Sequence, residues 1–209
     1  MANTDSSLRA LAAAILAGDS AKAFEMLAAS PGLDTACFQT GATRQEETRY
    51  FLEKISRYVY AGDTALHIAA AAYRSEIVLR LVESGADVHA SNRLGDQPIH
   101  AAAVGIPGSS SWNPAAQATS ILALIQAGAD PNAVNRSGIS PLHKAVRTRC
   151  ATAVRTLLNC GADPKFQNRN GSDATLLATR TTGRGGAGSP QAKAEQYEIM
   201  QLLKQSYGD

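Results

Sequence analysis

Three histidines, three cysteines and a glycine-rich segment are the parts of this chain with the most obvious chemical potential. His67, His100 and His143 each take the fourth place of a similar hexapeptide: Thr64-Ala-Leu-His-Ile-Ala69, Gln97-Pro-Ile-His-Ala-Ala102 and Ser140-Pro-Leu-His-Lys-Ala145. Together they could hold a zinc ion if their nitrogens converged within about 2.1 Å of it. Recurrence at one place of a repeated unit instead keeps them a whole unit apart, which suits a structural role and not a single metal or active site. His89 belongs to a turn, because Asn132 takes its place in the next unit. Cys37, Cys150 and Cys160 are odd in number and form no CxxC pair. That argues against a disulfide framework or a zinc site and fits reduced thiols in the cytoplasm. Cys150 follows His143 by seven positions, but a lone thiol near a turn is more often inert than nucleophilic. Gly183 to Gly188 lacks the GK[ST] ending of a phosphate cradle and follows a helix rather than a strand. Asn135-Arg-Ser137 and Asn170-Gly-Ser172 are glycosylation sites only in a secreted chain.

Positioning these residues is the work of a recurring unit. Each hexapeptide is followed by a glycine signature, Gly85-Ala-Asp-Val88, Gly128-Ala-Asp-Pro131 or Gly161-Ala-Asp-Pro164. A turn then follows: Asn92-Arg-Leu-Gly95, Asn135-Arg-Ser-Gly138 or Asn168-Arg-Asn-Gly171. Gly62 and Gly95 are 33 residues apart, as are Gly138 and Gly171, whereas Gly95 to Gly138 is longer by ten. Thr64 and Ser140 are suited to cap a helix, and Pro98 and Pro141 to occupy its first turn. Leu66, Ile99 and Leu142 face the core, and Ala69, Ala102 and Ala145 let neighbouring helices approach closely. Gly85, Gly128 and Gly161 should end the second helix of each unit with positive φ. Leu81–Val82, Leu124–Ile125 and Leu157–Leu158 supply that helix's buried stripe.

These motifs resemble the ankyrin-repeat family, strongly from about Gly62 to Asp173 and more weakly on both flanks. The resemblance implies an all-α solenoid of about five helix-turn-helix units with capping repeats at both ends. It also implies histidines that bond adjacent turns, and a binding rather than a catalytic role. One domain is expected: a capping repeat (1–34), an inserted helix (35–60), a repeat (61–91), a repeat with an insertion between its helices (92–134), a repeat (135–167) and a C-terminal capping repeat with a Gly-rich insertion (168–209). The segment from Leu8 to Gly18 has a faint signal-peptide look but reads better as an amphipathic cap helix. No run approaches the ~18 apolar residues of a membrane span.

Insertions carry more functional information than the consensus. Arg44 to Val59 places Phe51, Leu52, Ile55, Tyr58 and Val59 at helical spacing, which predicts an amphipathic helix packed on the solenoid edge or walling a groove. Val104 to Pro114 contains the chain's single tryptophan, Trp112, either a partner anchor or a plug over the helices. Gly183 to Pro190 should project from the same side, since both insertions lie between the two helices of their repeats.

Charge suggests what the surface meets. Residues 1–135 carry a net −4 and residues 136–209 a net +6; from Arg136 to Arg184 nine Lys and Arg face only Asp163 and Asp173. In the ankyrin-repeat family, partners meet the hairpin tips and the inner helix face. On this chain the tip position holds Tyr60, Arg93, Arg136 and Arg169, and the inner-helix position holds Ala71, Val104, Arg147 and Arg180. Two rows of arginine suited to bidentate carboxylate recognition point to a protein partner, an acidic peptide or surface. The same guanidinium groups could instead bond neighbouring loops. Nucleic acid is disfavoured, because only Phe166, Tyr197 and Tyr207 could interleave stacking with that charge. A monomer with no cofactor, no metal and no membrane contact is expected. The alternative is a small-molecule binding protein or enzyme, its pocket formed by the insertions over the groove and lined from Tyr50, Tyr58, Tyr60, Glu46, Glu47, Arg93 and Trp112.

Overall fold

The structure is a computed structural model that describes residues 4–43, 45–46, 48–180 and 189–206. Among them are ten helices: α1 (Thr4–Ala17), α2 (Ser20–Ala29), α3 (Ala65–Ala71), α4 (Ser75–Glu83), α5 (Pro98–Ala102), α6 (Pro114–Gln126), α7 (Pro141–Arg147), α8 (Ala151–Asn159), α9 (Ala174–Thr179) and α10 (Pro190–Ser206). Odd-numbered helices pack in series as an inner layer and even-numbered ones as an outer layer, each odd helix also packing on the next even one. Five helix pairs in a two-layer solenoid are what the repeat spacing predicts.

Local chemistry explains why each unit folds as it does. Oxygens of Thr64, Ser140 and Asp173 accept the backbone N–H three residues on, capping α3, α7 and α9. Gly85, Gly128 and Gly161 close the outer helices at φ 104°, 99° and 86°, a region that L side chains rarely enter. Leu66, Ile99 and Leu142 are buried from the inner layer, and Leu81, Leu124 and Leu157 from the outer one. The alanines between them let the backbones close up. In α10, Ile199 and Leu203 turn inward while Lys193 and Lys204 stay in solvent.

The inserted helix expected within 35–60 is not formed. Its place is taken by 3-10 turns at Thr48–Tyr50 and Glu53–Ile55 around a two-stranded hairpin, β1 (Phe51–Leu52) against β2 (Arg57–Tyr58). Phe51 pairs with Tyr58, Leu52 with Arg57, and Ser56 turns the chain at φ 47°. The apolar spacing fits a helix, but neighbouring backbone competes for the same groups. Val59 N–H donates to Tyr50 O, Ala42 N–H to Val59 O, and Phe38 N–H to Asp63 O. Cross-strand contact of Phe51 and Tyr58, with ring centroids 4.9 Å apart, adds the pairing that aromatic residues give to sheets. Arg44 and Glu47 lie outside the described residues, as does 183–188 of the Gly-rich insertion.

Candidate functional site

The inner helices start at the hairpin tips and end at the turns leading to the outer layer. One insertion sits at each edge: the β1–β2 hairpin precedes α3, and residues 103–113 connect α5 to α6. Between them lies a trough of about 540 Å³. Its floor is Ala71, Ala72 and Ala101, one wall is Ile55, Tyr58, Tyr60 and Leu94, and the other is Val104, Ile106 and Trp112. Arg57, Asp96, Lys144 and Arg147 supply its charge.

The walls are fastened to the repeats. Arg57 reaches from β2 to donate to His67 O and to Asp63 Oδ1, at 3.1 and 2.9 Å. Arg93 donates to Ala42 O and lies 5.2 Å from the Tyr60 ring centroid. On the other edge the Tyr73 phenol donates to Val104 O. Trp112 Nε1–H donates to Gln117 Oε1, and Gln117 Nε2–H to Ala102 O, closing the loop on its own helices. Gly105 is so tightly held that a Cβ there would stand 2.7 Å from Trp112 Cδ1 and 2.9 Å from Cys150 Sγ. Tyr73 itself sits at φ 55°, a strained position for a bulky residue at the α3–α4 turn. That strain aims its ring into the trough.

The histidines serve the fold. Nε2 of His67, His100 and His143 faces Asp96 O, Ile139 O and Ser172 O at 2.9 to 3.0 Å. Nδ1 of each accepts the N–H of Thr64, Gln97 or Ser140. A carbonyl only accepts, so Nε2 carries the proton and each ring is neutral. Burial depresses all three, His100 to about 4. Burial also pushes the Cys150 thiol up to about 11 and raises the Tyr73 phenol. Neither is thereby activated as a nucleophile or general base. Among the described residues no cluster of His, Cys, Asp and Glu is arranged to hold a metal ion.

The arginines divide into two sets. Arg57 and Arg93 are bound to the protein itself, and Lys144 pairs with Asp96. Burial opposes the ionised form of Asp96, but Lys144 and Asn135 outweigh it and hold its carboxyl below the usual range. The expected three-rung tip row therefore loses Arg93, because the insertion supplies the Ala42 carbonyl and the Tyr60 ring that capture it. Arg136 and Arg169 keep exposed guanidinium groups above Gly95 and Gly138, where a Cβ would meet their Cγ atoms at 2.9 and 3.1 Å. Arg147 and Arg180 are likewise exposed, and none of these four has a side-chain partner among the described residues.

Of the residues expected to line a pocket, Tyr58, Tyr60 and Trp112 do so. Tyr50 is buried against Arg9, 5.1 Å away, and Glu46 is exposed outside the trough. Missing from the expected set are Tyr73, Asp96 and Lys144; the repeat of the His-x-Ala motif marks the Lys144 position, but nothing in the sequence marks Tyr73. Among the described residues no helix is long and apolar enough to cross a membrane. Residues 61–93 and 137–169 each match the family described as Ankyrin repeat, and the stretch between them contains the insertion that carries Trp112. No curated protein matches the chain.

Proposed function

We propose that this chain, an ankyrin-repeat solenoid, binds a partner protein by taking an acidic segment of it along the concave face and hairpin tips of its C-terminal half. Ankyrin repeats generally mediate protein–protein interaction. One observation carries the finer reading: Arg136, Arg147, Arg169 and Arg180 are exposed and uncommitted among the described residues, while Arg57, Arg93 and Lys144 are held by the protein itself. Guanidinium groups in such a row favour carboxylates held bidentately.

The test is fluorescence anisotropy with a labelled Glu-rich Gly/Ser peptide and a variant carrying Arg136→Glu, Arg147→Glu and Arg169→Glu. Each exposed ion pair contributes about 0.2–1 kcal/mol and each reversal adds repulsion of similar size, so the triple reversal should weaken binding about tenfold. Affinity should also fall between about 50 and 300 mM salt. Undiminished binding by a folded variant would sink the reading.

A second reading, a small-molecule cleft, is favoured by the trough itself, whose 540 Å³ lies within the roughly 300–1,000 Å³ of ligand pockets. The groups facing it support binding rather than catalysis, since Tyr73 and His100 are both held away from neutral titration by burial.

A further inference from the structure

One register position runs through the trough and changes character along it. Ala71, Val104 and Arg147 stand at equivalent places at the ends of successive inner helices, and all three line the trough. Ala71, with Ala72 and Ala101, makes a floor of small groups, and Val104 stands on the wall beside it. Leu94 and Val104 stand 37% and 38% exposed on its facing walls, so the trough adds apolar surface above that floor. One helix further on, the surface turns cationic. Lys144 is neutralised by Asp96 and Arg57 by Asp63, which leaves Arg147 as the trough cation without a carboxylate partner among the described residues.

From this gradient we infer that the trough selects a partner segment in which a bulky apolar side chain stands about three residues from an acidic one. Packed helices lie roughly 10 Å apart, and an extended chain covers about 3.3 Å per residue, which sets the spacing. The apolar side chain enters between Tyr58, Leu94 and Ile106, over the alanine floor, and the carboxylate meets Arg147. The occupant is an extended stretch of another protein: the trough is walled on two edges, with its unpaired cation, Arg147, at one end. The inference rests on the acidic-segment reading and adds an apolar residue and a distance to it.

Four labelled Gly/Ser peptides test it by fluorescence anisotropy. The first has a central Trp with a Glu three residues away on either side, which makes chain direction immaterial. The second has Ala for Trp, the third Gln for both Glu, and the fourth has the Glu residues moved next to the Trp. Burying the ring should make the first bind roughly 10- to 100-fold tighter than the second. The fourth should fall below the first. Val104→Glu should erase the advantage of Trp over Ala, and Arg147→Glu the advantage of Glu over Gln. Should Val104→Glu fail to fold by circular dichroism, Leu94→Glu, exposed on the opposite wall, does the same task. Equal binding of the first and second peptides overturns the inference, while the acidic-segment reading survives if the first still exceeds the third. Equal binding of the first and third overturns the acidic-segment reading and the spacing with it. Equal binding of the first and fourth removes the spacing alone and so overturns the inference as stated.

Discussion

At the scale of single residues, the three motif histidines are cross-links between units. Each joins its own helix start, through Nδ1, to the turn of the next unit, through Nε2. Neutrality is required at Nδ1, which must keep a lone pair for a backbone N–H. The folded pKa lies below the ordinary histidine value, so the unfolded chain binds more protons as the pH falls. Stability should therefore be full above about pH 6.5 and be lost progressively toward pH 4, with His100 alone accounting for on the order of 3 kcal/mol. Urea midpoints measured across that window check it, and a flat profile would contradict the neutral-ring assignment. This role was legible in the sequence, because only a structural function repeats with the unit. That a tip guanidinium could bond a neighbouring loop was legible too, but not that Arg93 is the one that does: its partners, Ala42 and Tyr60, come from outside the repeat that carries it.

Elements inside the repeat period were readable, as was the loop between α5 and α6, whereas the segment before α3 was not. Caps, glycine stops and buried leucines all obey one register, so three aligned copies constrain each other. The segment before β2 has no second copy, and its apolar spacing suits a helix as well as a hairpin; long-range pairing with residues 38–42 decides between them. The loop from 103 to 113 is also non-repeating, yet Tyr73, Gln117 and the Trp112 ring over Gly105 fasten it to the helices. Gly105→Ala should push its new methyl into Trp112 and Cys150, at a cost of about 1–3 kcal/mol. A thermal melt reads that loss. If the variant melts with the wild type, the loop is looser than its contacts imply. The same substitution should shift Trp112 fluorescence, since the indole must move to make room.

At the scale of the whole molecule, stability should grade from the ends to the middle. α2 buries only Ala23, whereas α4 buries Ile77, Val78 and Leu81 and lies between two outer neighbours. In a linear stack the end units lack one of their two interfaces. Hydrogen exchange followed by mass spectrometry should find α2 opening first and α3 to α8 exchanging slowest. Protection of α2 equal to that of α4 would count against a graded stack. Site and stability then coincide, since the trough is built on the best-protected helices while the free arginines extend toward the less supported C-terminal end.

Most element contacts in the stack join adjacent units, and the loop after α5 also approaches a more distant one. A Cβ added at Gly108 would stand 3.7 Å from Gln191 Cβ, so the loop after α5 runs close to the start of α10. Glu195 of the same helix accepts the N–H of Ala151 at the start of α8. This proximity changes how the protein can be altered by evolution or by design. Units of a plain linear array can be added, removed or exchanged at its end with little effect on a site further in. Here the last helix lies beside the loop that forms one wall of the central trough, so a bulkier terminal unit would press on that wall and retune what the middle of the molecule recognises.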